Sequence, residues 1–161
     1  MNYLCIYNNE AGDYTAIVPD FDSQILVWGK TPDDALRLAS EALALYFVET
    51  QSSPNPQYAK LQDVPASVYR HFDYPIATTI APAAMNPVSL EIEQMIERSG
   101  LTQTEISQRM GTSGAALSRL KNPFYWGHSL ETLRKLAHAT GQQLEVKFKS
   151  RPKSASAYAR V

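Results

Sequence analysis

With 161 residues, the chain has room for one domain or two small ones, and its 44% hydrophobic and 19% charged content is ordinary for a globular protein. It contains no apolar run near the ~20 residues that span a bilayer, and its first ten residues lack the basic start and apolar core of a secretory signal, which argues for the cytoplasm and against a membrane partner. The net charge of −1 conceals a division: residues 1–87 hold 4 Lys/Arg and 10 Asp/Glu, net −6, whereas residues 88–161 hold 11 and 6, net +5.

The first half opens with strand signals. Residues 2–8 (Asn-Tyr-Leu-Cys-Ile-Tyr-Asn) are aliphatic and aromatic, residues 8–13 carry turn chemistry, and residues 14–18 form a second strand stopped by Pro19-Asp20. Residues 24–28 form a third, ended by Gly29. Thr31-Pro32-Asp33-Asp34 then reads as an N-cap, a proline at the first helical position and two acids that suit the helix dipole. The helix runs to about residue 50, and Ala35, Leu36, Ala39, Ala42, Leu43, Tyr46 and Phe47 recur at helical spacing as its core stripe. Residues 51–73 are irregular, with a short helix expected near 66–72. Residues 74–80 return as a fourth strand, where Pro75 requires an edge or a strand start.

Residues 81–86 read as a linker, and Asn86-Pro87 opens the second half as a cap and first helical residue. A helix over about 87–99 carries Leu90, Ile92, Met95 and Ile96. Residues 102–122 then read as a helix-turn-helix. Thr102 and Glu105 have capping-box spacing, Ile106 and Met110 share a face, and Gly111 stands where the chain must turn. Thr112 or Ser113 caps the next helix, and Leu117 and Leu120 give it an inner face. Its outward positions, Ser113, Gly114, Ala115, Ser118, Arg119, Lys121 and Asn122, are small, polar or basic, and Thr112 in the turn joins them as a candidate DNA contact. A slim end that enters the major groove, followed by donors for base edges and phosphates, is what a DNA-recognition helix needs. Gln103 is placed to hydrogen-bond a phosphate. The basic balance of this half suits the same partner, double-stranded operator DNA.

Residues 122–128 form a loop, and Ser129 caps a last helix over 130–140 with Leu130, Leu133, Leu136 and Ala137 inward and Gly141 as its stop. Residues 143–149 alternate apolar and charged, which predicts a half-buried strand with Leu144, Val146 and Phe148 on one face. A lone strand in a helical domain needs a partner. The same strand of a second copy would give a two-fold dimer; the sheet of the first half is the alternative. Residues 150–161 are expected to be a disordered tail.

The order β-β-β-α-β, the strand ending Val18-Pro19-Asp20, and Gly29-Lys30-Thr31-Pro32-Asp33-Asp34-Ala35-Leu36 leading into an alanine-rich helix resemble the HicB antitoxin family, many members of which carry a C-terminal helix-turn-helix. The helix-turn-helix itself resembles the Cro/repressor-like kind, departing from it at Thr112, where an apolar residue is usual. The resemblance implies a degraded ribonuclease H-like N-terminal fold without catalytic acids, which binds and blocks a small basic ribonuclease toxin, HicA-like, while the C-terminal domain binds the operator of its own operon. Asp20 and Asp22 are candidate toxin contacts. The chain departs from the family at Pro19-Asp20-Phe21-Asp22-Ser23-Gln24, where Pro-Asp-Leu-Pro-Gly-Cys is common.

The expected architecture is α+β: a toxin-binding domain over 1–80, a linker over 81–86 and an all-α domain over 87–149 ending in a strand. Enzyme chemistry finds little footing. Asp13, Asp20 and Asp22 invite a metal-nuclease reading, but turn acids are commoner than ligands, and such a site needs more carboxylates converging on a hard cation. His71, His128 and His138 lack metal-ligand spacing. Cys5, alone and in a strand, reads as a small core residue. No catalytic residue, metal or cofactor is expected. The alternative function is a one-component transcription regulator whose first domain senses a small ligand.

Overall fold

The computed structural model describes residues 1–21 and 24–149; the Asp22 candidate and the expected tail over 150–161 lie outside the described residues. The protein is mixed α+β, with a four-stranded antiparallel sheet and five helices among the described residues. It divides into two compact units, Met1–Val88 and the chain from Ser89 onward. Among the described residues, no helix is long and apolar enough to cross a membrane.

The first unit holds β1 (Tyr3–Asn8), β2 (Tyr14–Ile17), β3 (Leu26–Gly29), α1 (Pro32–Thr50) and β4 (Pro75–Ile80). The spatial order is β3-β2-β1-β4. β1 and β2 form a hairpin in which Ile6 faces Ile17, and β4 runs along the other side of β1, with Tyr3 opposite Ile80 and Asn8 opposite Pro75. Pro75 is therefore both the first residue of its strand and on an edge, where its missing N–H costs no ladder bond. Thr31 caps α1, accepting from Asp34 N at 3.1 Å. Gly29 is required by space: a Cβ there would lie 2.3 Å from Ala35 N, so β3 can meet the first turn of α1 only through glycine.

The centre of the sheet, β1 and β2, is covered on both faces. One face packs Tyr3, Cys5, Ala16 and Val18 against Ala35, Ala39 and Leu43 of α1, with Tyr46 and Phe47 at the margin. The other packs Leu4, Ile6 and Ile17 under Val64, Tyr58, Leu61, Tyr69 and Phe72. Two covered faces explain why β1 is apolar almost without interruption rather than alternating. The covering segment holds only a 3-10 turn at Leu61–Asp63, and the helix expected near 66–72 is absent. Val68 N donates to Pro65 O and Phe72 N to Tyr69 O, two separate tight turns that never propagate into an i→i−4 ladder.

The second unit is built from α2 (Pro87–Ser99), α3 (Gln103–Met110), α4 (Gly114–Lys121) and α5 (Leu130–Ala139); the unit boundary falls in the first turn of α2. Ile92, Ile96, Ile106, Leu117, Leu120, Leu136 and Ala139 form its core. Leu130, expected inward, is exposed, as is Leu90: each lies near the start of its helix, at the rim of a small core. The strand expected over 143–149 is also absent. These residues carry no strand pairing among the described residues, because a strand exists only through a neighbour's backbone and the first unit's sheet ends at β3 and β4. Leu144 is half-buried, while Val146 and Phe148 are exposed.

Candidate nucleic-acid interface

The candidate site is the pair α3–α4. Thr102 caps α3: its hydroxyl accepts from Glu105 N at 3.2 Å, and the Glu105 carboxylate accepts from Thr102 N at 2.8 Å. The backbone N–H and hydroxyl of Thr102 both favour the charged carboxylate and hold Glu105 below its ordinary range. α3 stops at Gly111, whose φ of 65° is left-handed. Thr112 N then donates to Ser107 O at 2.9 Å, folding the turn back onto α3. Ser113 caps α4, accepting from Ala116 N at 3.1 Å. The turn thus spans three residues, with both helix ends satisfied.

Packing fixes which way α4 faces. Leu117 and Leu120 are buried, as are Ile106 and Ser107 of α3. The opposite side of α4 is open: Ala115, Ser118, Arg119 and Asn122, at i, i+3, i+4 and i+7, are exposed, and Ser113 and Gly114 extend the face to the helix start. Gln103 is exposed at the first position of α3.

Three of the expected contact residues have further local tasks. Thr112 is half-buried in the turn. Lys121 Nζ lies 3.6 Å from Glu93 Oε1, joining the end of α4 to α2. Asn122 Oδ1 accepts from Phe124 N at 2.9 Å and shapes the loop after α4. Arg119 makes no ion pair among the described residues and stands exposed in the last turn of α4.

The neighbouring groups of this unit are structural. Arg109 Nη1 donates to Ala139 O at 3.1 Å, tying α3 to the end of α5. His128 Nε2 lies 2.9 Å from Leu120 O, at the end of α4, and its ring packs edge-on against Tyr125 with centroids 5.0 Å apart. Tyr125 packs on the core, while Trp126 is exposed.

In the first unit, Asp20 sits in a 3-10 turn at Pro19–Phe21. Its Oδ1 accepts from Gln57 N, and its Oδ2 is buried with no hydrogen-bond partner among the described residues. Asp13 is engaged by Asn8 and Thr15. Two apolar residues of β3 were not singled out by the sequence: Leu26 and Trp28 face the same side of the sheet as Ile17 and Thr15, their register partners, and Trp28 is 67% exposed. Beside them lies an open groove of about 420 Å³ lined by Ile17, Leu26, Val68 and Phe72 with Asp13, Thr15 and His71. Alternation could place Leu26 and Trp28 on one face; it could not say that the covering segment stops short of them.

No protein-family model and no curated protein matches this sequence.

Proposed function

We propose that the chain is an antitoxin and autorepressor: the first unit binds and blocks a small basic ribonuclease of the HicA kind, and α3–α4 form a helix-turn-helix that binds the operator of the operon encoding both. The observation that carries the DNA-binding half is the exposed α4 face of Ser113, Gly114, Ala115, Ser118, Arg119 and Asn122, set against a buried Leu117–Leu120 face by two capped helix ends. A dimer would present two such helices to half-sites about 34 Å apart, one DNA turn. Support for the toxin-binding half is the acidic balance of residues 1–87 and the exposed Trp28, since buried aromatic anchors and complementary charge are what protein interfaces use.

The test is fluorescence anisotropy with duplex DNA from upstream of the gene. The expected result is specific binding that weakens steeply with salt, as displaced counterions require. Equal affinity for upstream and unrelated duplexes would remove the operator from the proposal. A second reading, a repressor whose first unit senses a small ligand, is favoured by the groove beside Ile17 and Phe72. Thermal stabilisation by a metabolite, with no protein partner, would support it.

A further inference from the structure

Residues 143–149 read Gln-Leu-Glu-Val-Lys-Phe-Lys, the alternation of a strand with one apolar face, yet among the described residues they pair with nothing. Leu144 is half-buried, Val146 is 56% exposed and Phe148 fully exposed, so the apolar side opens to solvent toward the C-terminal end. On the charged side, Lys147 Nζ lies 2.8 Å from Glu145 Oε1, so residues two apart share a side, as in extended backbone.

We propose that this segment pairs with the same segment of a second copy, as an antiparallel ribbon whose two-fold axis passes through Val146. The inference rests on the dimer proposed above and gives it a surface and a register. Its ground is self-complementary charge. With the axis at residue 146, Val146 meets its own copy, Leu144 meets Phe148, and Glu145 meets Lys147 in both directions. Each glutamate then has a lysine beside it on its own strand and another across the ribbon. An axis at residue 145 sets Glu145 against Glu145, one at 147 sets Lys147 against Lys147, and one at 148 sets Lys147 against Lys149. Like charges directly opposite each other destabilise a ladder. An axis between two residues sets apolar side chains against charged ones. An axis at 144 avoids these clashes but leaves Lys147 and Phe148 with little strand to meet. The three apolar residues of each copy then flank one another on a single face, which reduces the exposure of Val146 and Phe148.

Variants of the full chain that each add one cysteine test the register. Wild-type protein serves as the blank, because its lone Cys5 is buried. A residue on the axis faces its own copy at a Cα separation of about 4.5–5.5 Å, whereas residues one step off the axis are about 8 Å from their own copies, beyond disulfide reach. Val146→Cys should therefore cross-link at least about tenfold faster than Glu145→Cys or Lys147→Cys. Charge gives a second measurement at exposed positions that cannot disturb the core. Glu145→Lys should weaken dimerisation by about tenfold, and Glu145→Lys with Lys147→Glu should restore it to within about twofold. A wild-type dimer in which the 145 and 147 cysteines cross-link as fast as 146, or in which the double swap fails to recover, would overturn the ribbon and leave the dimer standing. A chain that sediments as a monomer would overturn both, and operator binding is read separately.

Discussion

Arg119 and Trp28 are the side chains on which the two proposed binding activities lean hardest. Arg119 is exposed in the last turn of α4 and makes no ion pair among the described residues. If it reads a base edge, Arg119→Ala should cost about 1–3 kcal/mol of operator affinity and relax specificity at one position. Unchanged anisotropy titrations would take it out of the interface. Trp28→Ala removes a large apolar side chain that is already exposed, so toxin capture should fall while thermal stability stays near wild type. Cys5 makes the opposite case. Burial pushes its thiol up to about 12, so it should not react with a disulfide reagent at pH 8 until the first unit unfolds. Its sign in stability follows. The folded state keeps the proton that the unfolded thiol releases near its ordinary value of 9.0, so Cys5 favours folding below that pH and opposes it increasingly above.

At the scale of elements, helix starts carry much of the local specification. Asp34, Glu105 and Glu131 lie in the first turns of α1, α3 and α5, and all three sit below their ordinary range. The causes differ. Asp34 is held by the Lys30 backbone N–H and then Arg37, Glu105 by Thr102, and Glu131 by Lys135. Since each folded value lies below the unfolded one, their stabilisation is present above the ordinary carboxylate range and is lost as pH falls through the lowered values. Denaturant titrations of wild type and Glu105→Gln should therefore converge as pH falls below the ordinary carboxylate range. Thr102→Ala should cost the second unit about 1 kcal/mol at pH 7. Two glycines separate conformational from steric demand. Gly111→Ala meets open space but is left-handed, costing about 1–2 kcal/mol. Gly29→Ala drives a Cβ into the backbone of Ala35 and should disrupt the β3–α1 junction outright.

These elements also show what the chain reveals before folding. The capping box at Thr102 and Glu105, the stop at Gly111, the Thr31-Pro32 start of α1 and the edge proline Pro75 were legible because each is a local contract between residues a few positions apart. The turns over 65–72 were not, because Val68, Tyr69 and Phe72 have the spacing of a helix face, whereas in the structure Tyr69 and Phe72 pack on the cluster of Leu4, Ile6 and Ile17 and Val68 stays exposed. The alternation over 143–149 was legible as a pattern but not as a structure, since the pattern cannot say whose backbone completes it. For the candidate site, the outward face of α4 could be read from periodicity around Leu117 and Leu120. The pairing of Lys121 with Glu93, and that of Arg109 with the end of α5, could not, because both join segments far apart in sequence.

The whole molecule joins an acidic unit to a basic one, net −6 over residues 1–87 and net +5 over 88–161. That division suits two partners of opposite character: a basic protein for the first unit and a polyanion for the second. Raising salt should therefore weaken both interactions, with the steeper loss at DNA, where each neutralised phosphate releases a counterion. What the first unit holds decides most directly between an antitoxin and a ligand-sensing repressor. Tagged full-length protein co-expressed with the small open reading frame beside its gene, then purified by the tag, gives the deciding measurement. The predicted result is a stable complex with a basic protein of under about 100 residues that is toxic when expressed alone. A harmless neighbour that fails to co-purify would contradict the account and leave the ligand-sensing repressor in its place.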